Sequence, residues 1–275
     1  MLETYEIGKP YVVYARHALN HTQNRMHADG LPQKLGFRGA LVLGTAIYAN
    51  MTRALVASLG DKWLGNAEIH ARFLKVVCAG DRLRVETVPV AGQEGTFKVT
   101  AYNETANDEV CAYFETTCPA RLPAIDALAS LAPNEWEGPV TQDRSWDLVE
   151  VGKPYRSMVM ALSREHNDWW KAFLENDLSI YQEGTHPPIH PAQVLRFAPI
   201  GSRNQYLGDN AVHSASKVVV RKVLRVGDTV RLLTVPAEKW EKKRNHWVTL
   251  YCAVFRDGEV CAEVYHTQIF KLHGT

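Results

Sequence analysis

The sequence has 275 residues and a mass of 30.9 kDa, enough for one large domain or two of ordinary size around a sizeable core. It is 46% hydrophobic and 22% charged, a globular composition that excludes a largely disordered chain. Lys and Arg number 31 against 30 Asp and Glu, a net charge of +1, without the basic excess of an electrostatic nucleic-acid binder.

No apolar run approaches the ~18–20 residues of a membrane span, so neither nucleic acid nor membrane is expected as a partner. The acidic start, Glu3-Thr4-Tyr5-Glu6, lacks the basic and apolar stretches of a signal peptide. The five cysteines (Cys78, Cys111, Cys118, Cys252 and Cys261) include no C-x-x-C pair and read as reduced thiols of a cytoplasmic protein. No histidine spacing suggests zinc, and no glycine-rich phosphate loop follows a strand.

In chain order, a β-type entry at residues 11–15 is followed by a polar segment carrying His21 and His27. A long helix is then predicted over residues 40–59, with Leu41, Ile47, Tyr48, Met51, Leu55, Val56 and Leu59 at helical spacing and Gly60 as its stop. Apolar, β-branched runs follow at residues 68–77, 81–90, 96–103 and 109–118. Prolines break the next stretch, within which residues 124–131 read as a short helix. A second β-type entry lies at residues 156–160, and a helical stretch over 193–206 is interrupted by Pro199. Strand-like runs then cover residues 216–224, 228–237, 247–255 and 259–272, with Arg256-Asp257-Gly258 as a hairpin turn. The basic run at 239–244 reads as a solvated turn or strand end. Adjacent Trp169 and Trp170 point to different faces, one toward core and one toward a pocket or interface.

The second half repeats the first. Ile7-Gly8-Lys9-Pro10-Tyr11 returns as Val151-Gly152-Lys153-Pro154-Tyr155, Gly80-Asp81 with the eight residues after it returns at Gly227-Asp228, and Glu109-Val110-Cys111-Ala112 returns as Glu259-Val260-Cys261-Ala262. The offsets drift by only a few residues. The expected organisation is a first unit over residues 1–118, a linker over 119–147 and a second unit over 148–275. Each unit is α+β, a long helix on an antiparallel meander, and the two pack as a pseudo-dimer with further homodimerisation open.

The segment most suggestive of chemistry runs from Asn20 to Thr45. A polar loop with two histidines leads through a glycine-rich turn into the long helix. A helix N-terminus offers unpaired N–H groups to a developing oxyanion, and a nearby histidine moves a proton near neutral pH.

Asn24-Arg25-Met26-His27-Ala28-Asp29, followed by Gly36-Phe37-Arg38-Gly39-Ala40-Leu41-Val42-Leu43-Gly44, resembles the MaoC-like, R-specific enoyl-CoA hydratases of the hot-dog fold. With the duplication, this resemblance implies a double hot-dog. It further implies a hydratase or dehydratase that adds water to, or removes it from, an acyl thioester of CoA or a carrier protein, with no cofactor and no metal. On that resemblance His27 falls on the catalytic His, Asn24 on the motif Asn and Gly44 on the oxyanion-hole glycine, while Arg25 replaces the motif Pro. Thr22 stands where the family has its catalytic Asp, and threonine is no carboxylate base. Three readings stay open: Asp29 substitutes, an acid reaches across from the second unit, or the pocket does other chemistry. Hot-dog thioesterase activity and non-catalytic binding of an acyl thioester or small molecule are the alternatives. The second unit reads as the substrate-accommodating half. Arg38 and Arg72, with Asp177, Tyr181, His186 and His190 from the second unit, are the candidate substrate contacts.

Overall fold

The computed structural model describes residues 5–16, 31–34, 36–175, 177–208 and 211–271. Five strands come from the first half: β1 (Tyr11–Tyr14), β2 (Ala67–Phe73), β3 (Arg82–Pro89), β4 (Thr96–Asn103) and β5 (Glu109–Thr117). Five come from the second: β6 (Met158–Ala161), β7 (Val212–Val220), β8 (Thr229–Lys242), β9 (Asn245–Arg256) and β10 (Glu259–Lys271). They form one sheet in the order β1-β3-β4-β5-β2-β7-β10-β9-β8-β6, with every pairing antiparallel. Read inward from either edge, the two halves repeat one order. They meet where β2 pairs with β7, Ala67 opposite Val220 and Arg72 opposite Ala215. The fold is an α+β double hot-dog.

The duplication extends to single hydrogen bonds at a constant offset. Val42 N–H donates to Val77 O and Ile189 N–H to Leu224 O; Gly80 N–H donates to Ala15 O and Gly227 N–H to Leu162 O. Asp81 accepts from Cys78 N–H, and Asp228 from Arg225 N–H. Strand alternation explains the burial: Ala67, Ile69 and Ala71 of β2 face the core while His70 and Arg72 are exposed. Asp257 (φ 53°) and Gly258 (φ 80°) make the tight turn between β9 and β10. β8 runs on to Lys242, so only Lys243 and Arg244 (φ 51° and 62°) form the turn in the basic run.

Each half lays a central helix on the sheet. The first begins at Gly44, four residues later than periodicity suggests, because residues 40–43 are held extended by the bond to Val77 and a bridge between Leu41 and Cys78. It runs over Gly44–Met51 and Arg53–Leu59, interrupted at Thr52, whose hydroxyl donates to Ala49 O at 3.0 Å. Gly60 ends it at φ 51°.

The second helix, Pro191–Arg203, is continuous through Pro199, which corrects the expected interruption. Proline there removes one helical hydrogen bond at a cost of ~3 kcal/mol, but nine of the helix's residues are buried and their packing outweighs it. The approach is so close that a Cβ on Gly201 would lie 2.0 Å from Thr234 Oγ1. In the 119–147 stretch the expected helix is a 3-10 turn, Ala127–Ser130. Leu128, Ala129 and Leu131 cover Leu233, Val235, Tyr251 and Ala253 on the second half's outer sheet face. All five cysteines are free. Among the described residues, no helix is long and apolar enough to cross a membrane.

Candidate functional site

The repeat creates two equivalent seams, each where the N-terminus of one central helix meets the other half's sheet. They have diverged. At the seam beside Gly44 lies a cavity of about 340 Å³. Its walls come from the start of the first helix, the 73–77 segment after β2, the start of β7, the inner face of β10 and one face of the second helix. At the equivalent seam beside Pro191 only about 20 Å³ remains, no more than about one water. Trp63, which is fully buried, fills that seam and donates from Nε1 to Thr116 Oγ1 at 2.9 Å. Strand register makes Thr116 of β5 the counterpart of His266 of β10.

The helix starts show the same divergence. Leu43 and His190 hold nearly identical capping conformations, φ −56° and −53° with ψ 131° in both. After His190, Pro191 has no N–H, and Ala192 N–H donates to His190 Nδ1 at 3.1 Å. After Leu43, the N–H groups of Ala46 and Ile47 donate to Leu43 O. Those of Gly44 and Thr45 have no acceptor among the described residues, and both residues line the cavity. The larger seam therefore keeps two backbone donors that the smaller seam has lost.

Against those donors stands His213 of β7. A Cβ on Gly44 would lie 3.1 Å from its Nδ1 and 3.3 Å from its Cβ, so glycine is what lets this ring approach the helix start. His213 Nε2 lies 3.2 Å from Ala215 O and 2.8 Å from Ser216 Oγ. A carbonyl only accepts, which assigns the proton to Nε2 and leaves Nδ1 bare. Nδ1 is buried without a partner. The ring is sandwiched between Phe73, at 4.3 Å between centroids, and His266, at 4.0 Å.

His266 is 3% exposed, and its Nδ1 also lacks a partner. Burial pushes the His266 imidazole down to about 3. Burial, with His266 second, pushes His213 well below its ordinary value. Both rings are neutral at pH 7. Trp247 Nε1, on the same cavity, is a third buried polar atom without a partner. Unpaired buried polar atoms are uncommon in folded proteins, and three of them belong to residues that line this cavity.

Of the residues expected from the sequence, Gly44 lines this cavity. Thr22, Asn24, His27 and Asp29 lie outside the described residues. The expected substrate contacts lie elsewhere. Arg38 is committed to Asp81, donating to both carboxylate oxygens at 3.1 and 2.9 Å, and Asp81 also accepts from Asn103 at 2.7 Å. The pair clamps the turn before β3. Arg72 is exposed on β2 away from the cavity. His186 is exposed and bonds Val226 O at 2.9 Å.

Asp177, Tyr181 and His190 do come together, but not at the cavity. His190 is 1% exposed, its Nε2 lies 3.8 Å from Asp177 and its ring centroid 4.5 Å from that of Tyr181. Burial holds His190 down to about 3, raises Asp177 to about 6 and raises Tyr181 further above its ordinary value. They form a closed polar cluster that caps a helix, because the Ala192 amide needs an acceptor and His190 Nδ1 supplies it. Of the tryptophan pair, Trp170 is core and Trp169 lines the cavity.

The sequence reading missed His213, His266 and Arg196. One signal for His266 was present. In β10, Val264, His266, Gln268 and Phe270 alternate inward, and two of those four inward positions are polar. Among the described residues no group of three or more His, Cys, Asp or Glu side chains is arranged to hold a metal.

No protein-family model matches this sequence, and no curated protein matches it. The structure resembles solved ones along its whole length. A protein described as a MaoC domain dehydratase from Chloroflexus aurantiacus superposes with a TM-score of 0.62 at 13% identity, over 98% of this chain and 97% of that one. A conserved Mycobacterium tuberculosis protein with a double hotdog fold gives 0.62 at 12% identity, over 96% of both chains. A protein described as a thioesterase from Novosphingobium aromaticivorans gives 0.51 at 11% identity, over 96% of both. At these identities the likeness establishes the shared double hot-dog architecture.

Proposed function

We propose that this chain is an acyl-thioester enzyme of the hydratase or dehydratase type, working in the cavity beside Gly44. One observation carries the reading: Gly44 and Thr45, whose N–H groups have no acceptor among the described residues, line the same cavity as His213, whose Nδ1 has no partner. A thioester carbonyl oxygen accepting from that amide pair gains charge as water adds to the β-carbon, and preorganised donors stabilise the enolate that forms. A base removes the proton from water, the oxygen bonds to C3, and C2 takes a proton; dehydration runs the same steps backward. His27 is the proposed acid–base group, with Thr22, Asn24 and Asp29 as its neighbours in the sequence. A neutral His213 accepts a hydrogen bond from the water and orients it.

A second reading is hydrolysis of the thioester, with water attacking the carbonyl held by the same amides. It is supported by the likeness to a solved structure described as a thioesterase.

The test follows enoyl absorbance with crotonyl-CoA and 3-hydroxybutyryl-CoA, and thiol release in parallel. Turnover without thiol release is expected, falling about 10²- to 10⁴-fold in His27→Ala, the usual contribution of a general acid–base group, and at least about tenfold in His213→Gln. Thiol release alone selects hydrolysis. Neither activity, on these or longer acyl thioesters, refutes the enzyme reading.

A further inference from the structure

The second helix shows the cavity a cationic face. Arg196, Pro199 and Arg203 follow at spacings of three and four residues, which places them on one side of the helix, and all three line the cavity. Arg196 lies flat on Trp169, its Cζ 3.6 Å from a ring centroid, and donates from Nη1 to Gln193 Oε1 at 3.1 Å. That uses one of its five N–H donors. It meets no carboxylate among the described residues. A further cation on this wall system, Lys75, is exposed and already paired with Glu109 at 3.3 Å. Burial, with Arg203 second, pulls the Arg196 guanidinium below its ordinary value, yet it remains charged at neutral pH. A part-buried cation without a counter-ion is costly, unless the ligand brings the opposite charge.

We infer that the acyl group of the substrate carries a carboxylate, which Arg196 receives through its free guanidinium edge while the thioester carbonyl sits at the Gly44 and Thr45 amides. The inference rests on the proposed thioester reading and adds the substrate class. A planar fork locked against an indole inside the cavity matches a planar carboxylate. The phosphates of a carrier are more highly charged and better served by exposed lysines and arginines at the rim.

The test is calorimetric titration of the full chain with glutaryl-pantetheine and pentanoyl-pantetheine, which have equal chain lengths and no phosphate. The wild type is expected to prefer the glutaryl ligand by at least about tenfold, as expected for a charge-assisted bidentate pair. Arg196→Gln is expected to lose about thirtyfold of glutaryl affinity, or about 2 kcal/mol at 1.4 kcal/mol per tenfold, while pentanoyl affinity stays within about twofold. Retained pentanoyl binding also shows that the variant is folded. Arg196→Lys, which keeps the charge but not the fork, is expected to fall between the two. Equal wild-type affinity for both ligands, or equal weakening of both in Arg196→Gln, overturns the carboxylate assignment and leaves the thioester reading intact. An Arg196 dependence seen only with the CoA thioesters overturns it too, assigning the residue to phosphate. If the wild type binds neither ligand, as pantetheine or as CoA thioester, the thioester reading falls and this assignment with it.

Discussion

Acidification from pH 7 to pH 5 is expected to destabilise the fold measurably, with His190 as a principal cause. Its imidazole is held at about 3 by burial, below the ~6.5 of an unfolded chain. The unfolded state therefore takes up the proton first. Stability from the neutral ring is complete above about pH 6.5 and is lost as pH falls toward 3. Over the interval from 7 to 5 the unfolded form gains about 2 kcal/mol from this one site. His266, also at about 3, adds a similar loss, and His213 acts in the same direction. Asp177 opposes them. Burial raises it to about 6, above the ~3.9 of an unfolded Asp, so the folded state binds its proton first and regains about 1 kcal/mol at pH 5.

The geometry gives the same sign for His190, since Nδ1 must be unprotonated to accept from Ala192 N–H. His190→Asn keeps a capping acceptor and removes the titration. Loss of ring packing against Trp170 and Tyr181 is expected to cost ~1–3 kcal/mol at pH 7. The further loss between pH 7 and pH 5 should then be about 2 kcal/mol smaller than in the wild type. Urea unfolding at the two pH values, with unchanged slopes, reads both quantities. An identical pH-dependent loss in variant and wild type would refute the argument.

Two more substitutions probe the two seams. Gly44 is not in the left-handed backbone region, so Gly44→Ala should change stability by no more than about 1 kcal/mol. Its Cβ displaces His213, and turnover on the best thioester should fall at least about tenfold, one 1.4 kcal/mol step in barrier; unchanged turnover at an unchanged melting temperature would remove His213 from the site. Trp63→Ala empties the filled seam and should cost ~3–5 kcal/mol in urea unfolding, and a loss under about 1 kcal/mol would show that this ring does not hold that seam together.

Much of the architecture was legible because it rests on period and repetition. Strand alternation in β4 and β5, the stop at Gly60 and the ten-residue run from Gly80 matched at Gly227 are all local or self-similar signals. The long helix was misplaced at its start because residues 40–43 are apolar and helix-like in sequence, while their hydrogen bonds go to the segment around Val77 and Cys78. That partner is long-range, and periodicity does not see it. Pro199 misled for the converse reason: a local penalty is visible in sequence, and the packing that outweighs it is not. The site was harder still. His213 and His266 lie 53 residues apart on strands β7 and β10, joined only by sheet register, and Gly44 reaches them across the seam of the two halves. His190, a candidate substrate contact from the sequence, caps the second helix.

The contrast between the seams says why a duplicated chain suits this arrangement. In two identical copies, any feature that opens one seam opens the other, and each unpaired buried polar atom costs ~1–3 kcal/mol twice over. Once the copies share a chain, they are free to differ. Here one seam has taken up three stabilising features: proline at the first helical position, a histidine cap on the next amide, and an indole hydrogen-bonded in the space. The other has kept stacked neutral imidazoles around an open volume, with amides and a guanidinium that meet no acceptor or carboxylate on it among the described residues. Local choices that lower stability without a structural return are expected where function constrains the sequence. The bare amides, the stacked imidazoles and Arg196 lie on one side of the pseudo-symmetry, the side on which the thioester reading places its substrate.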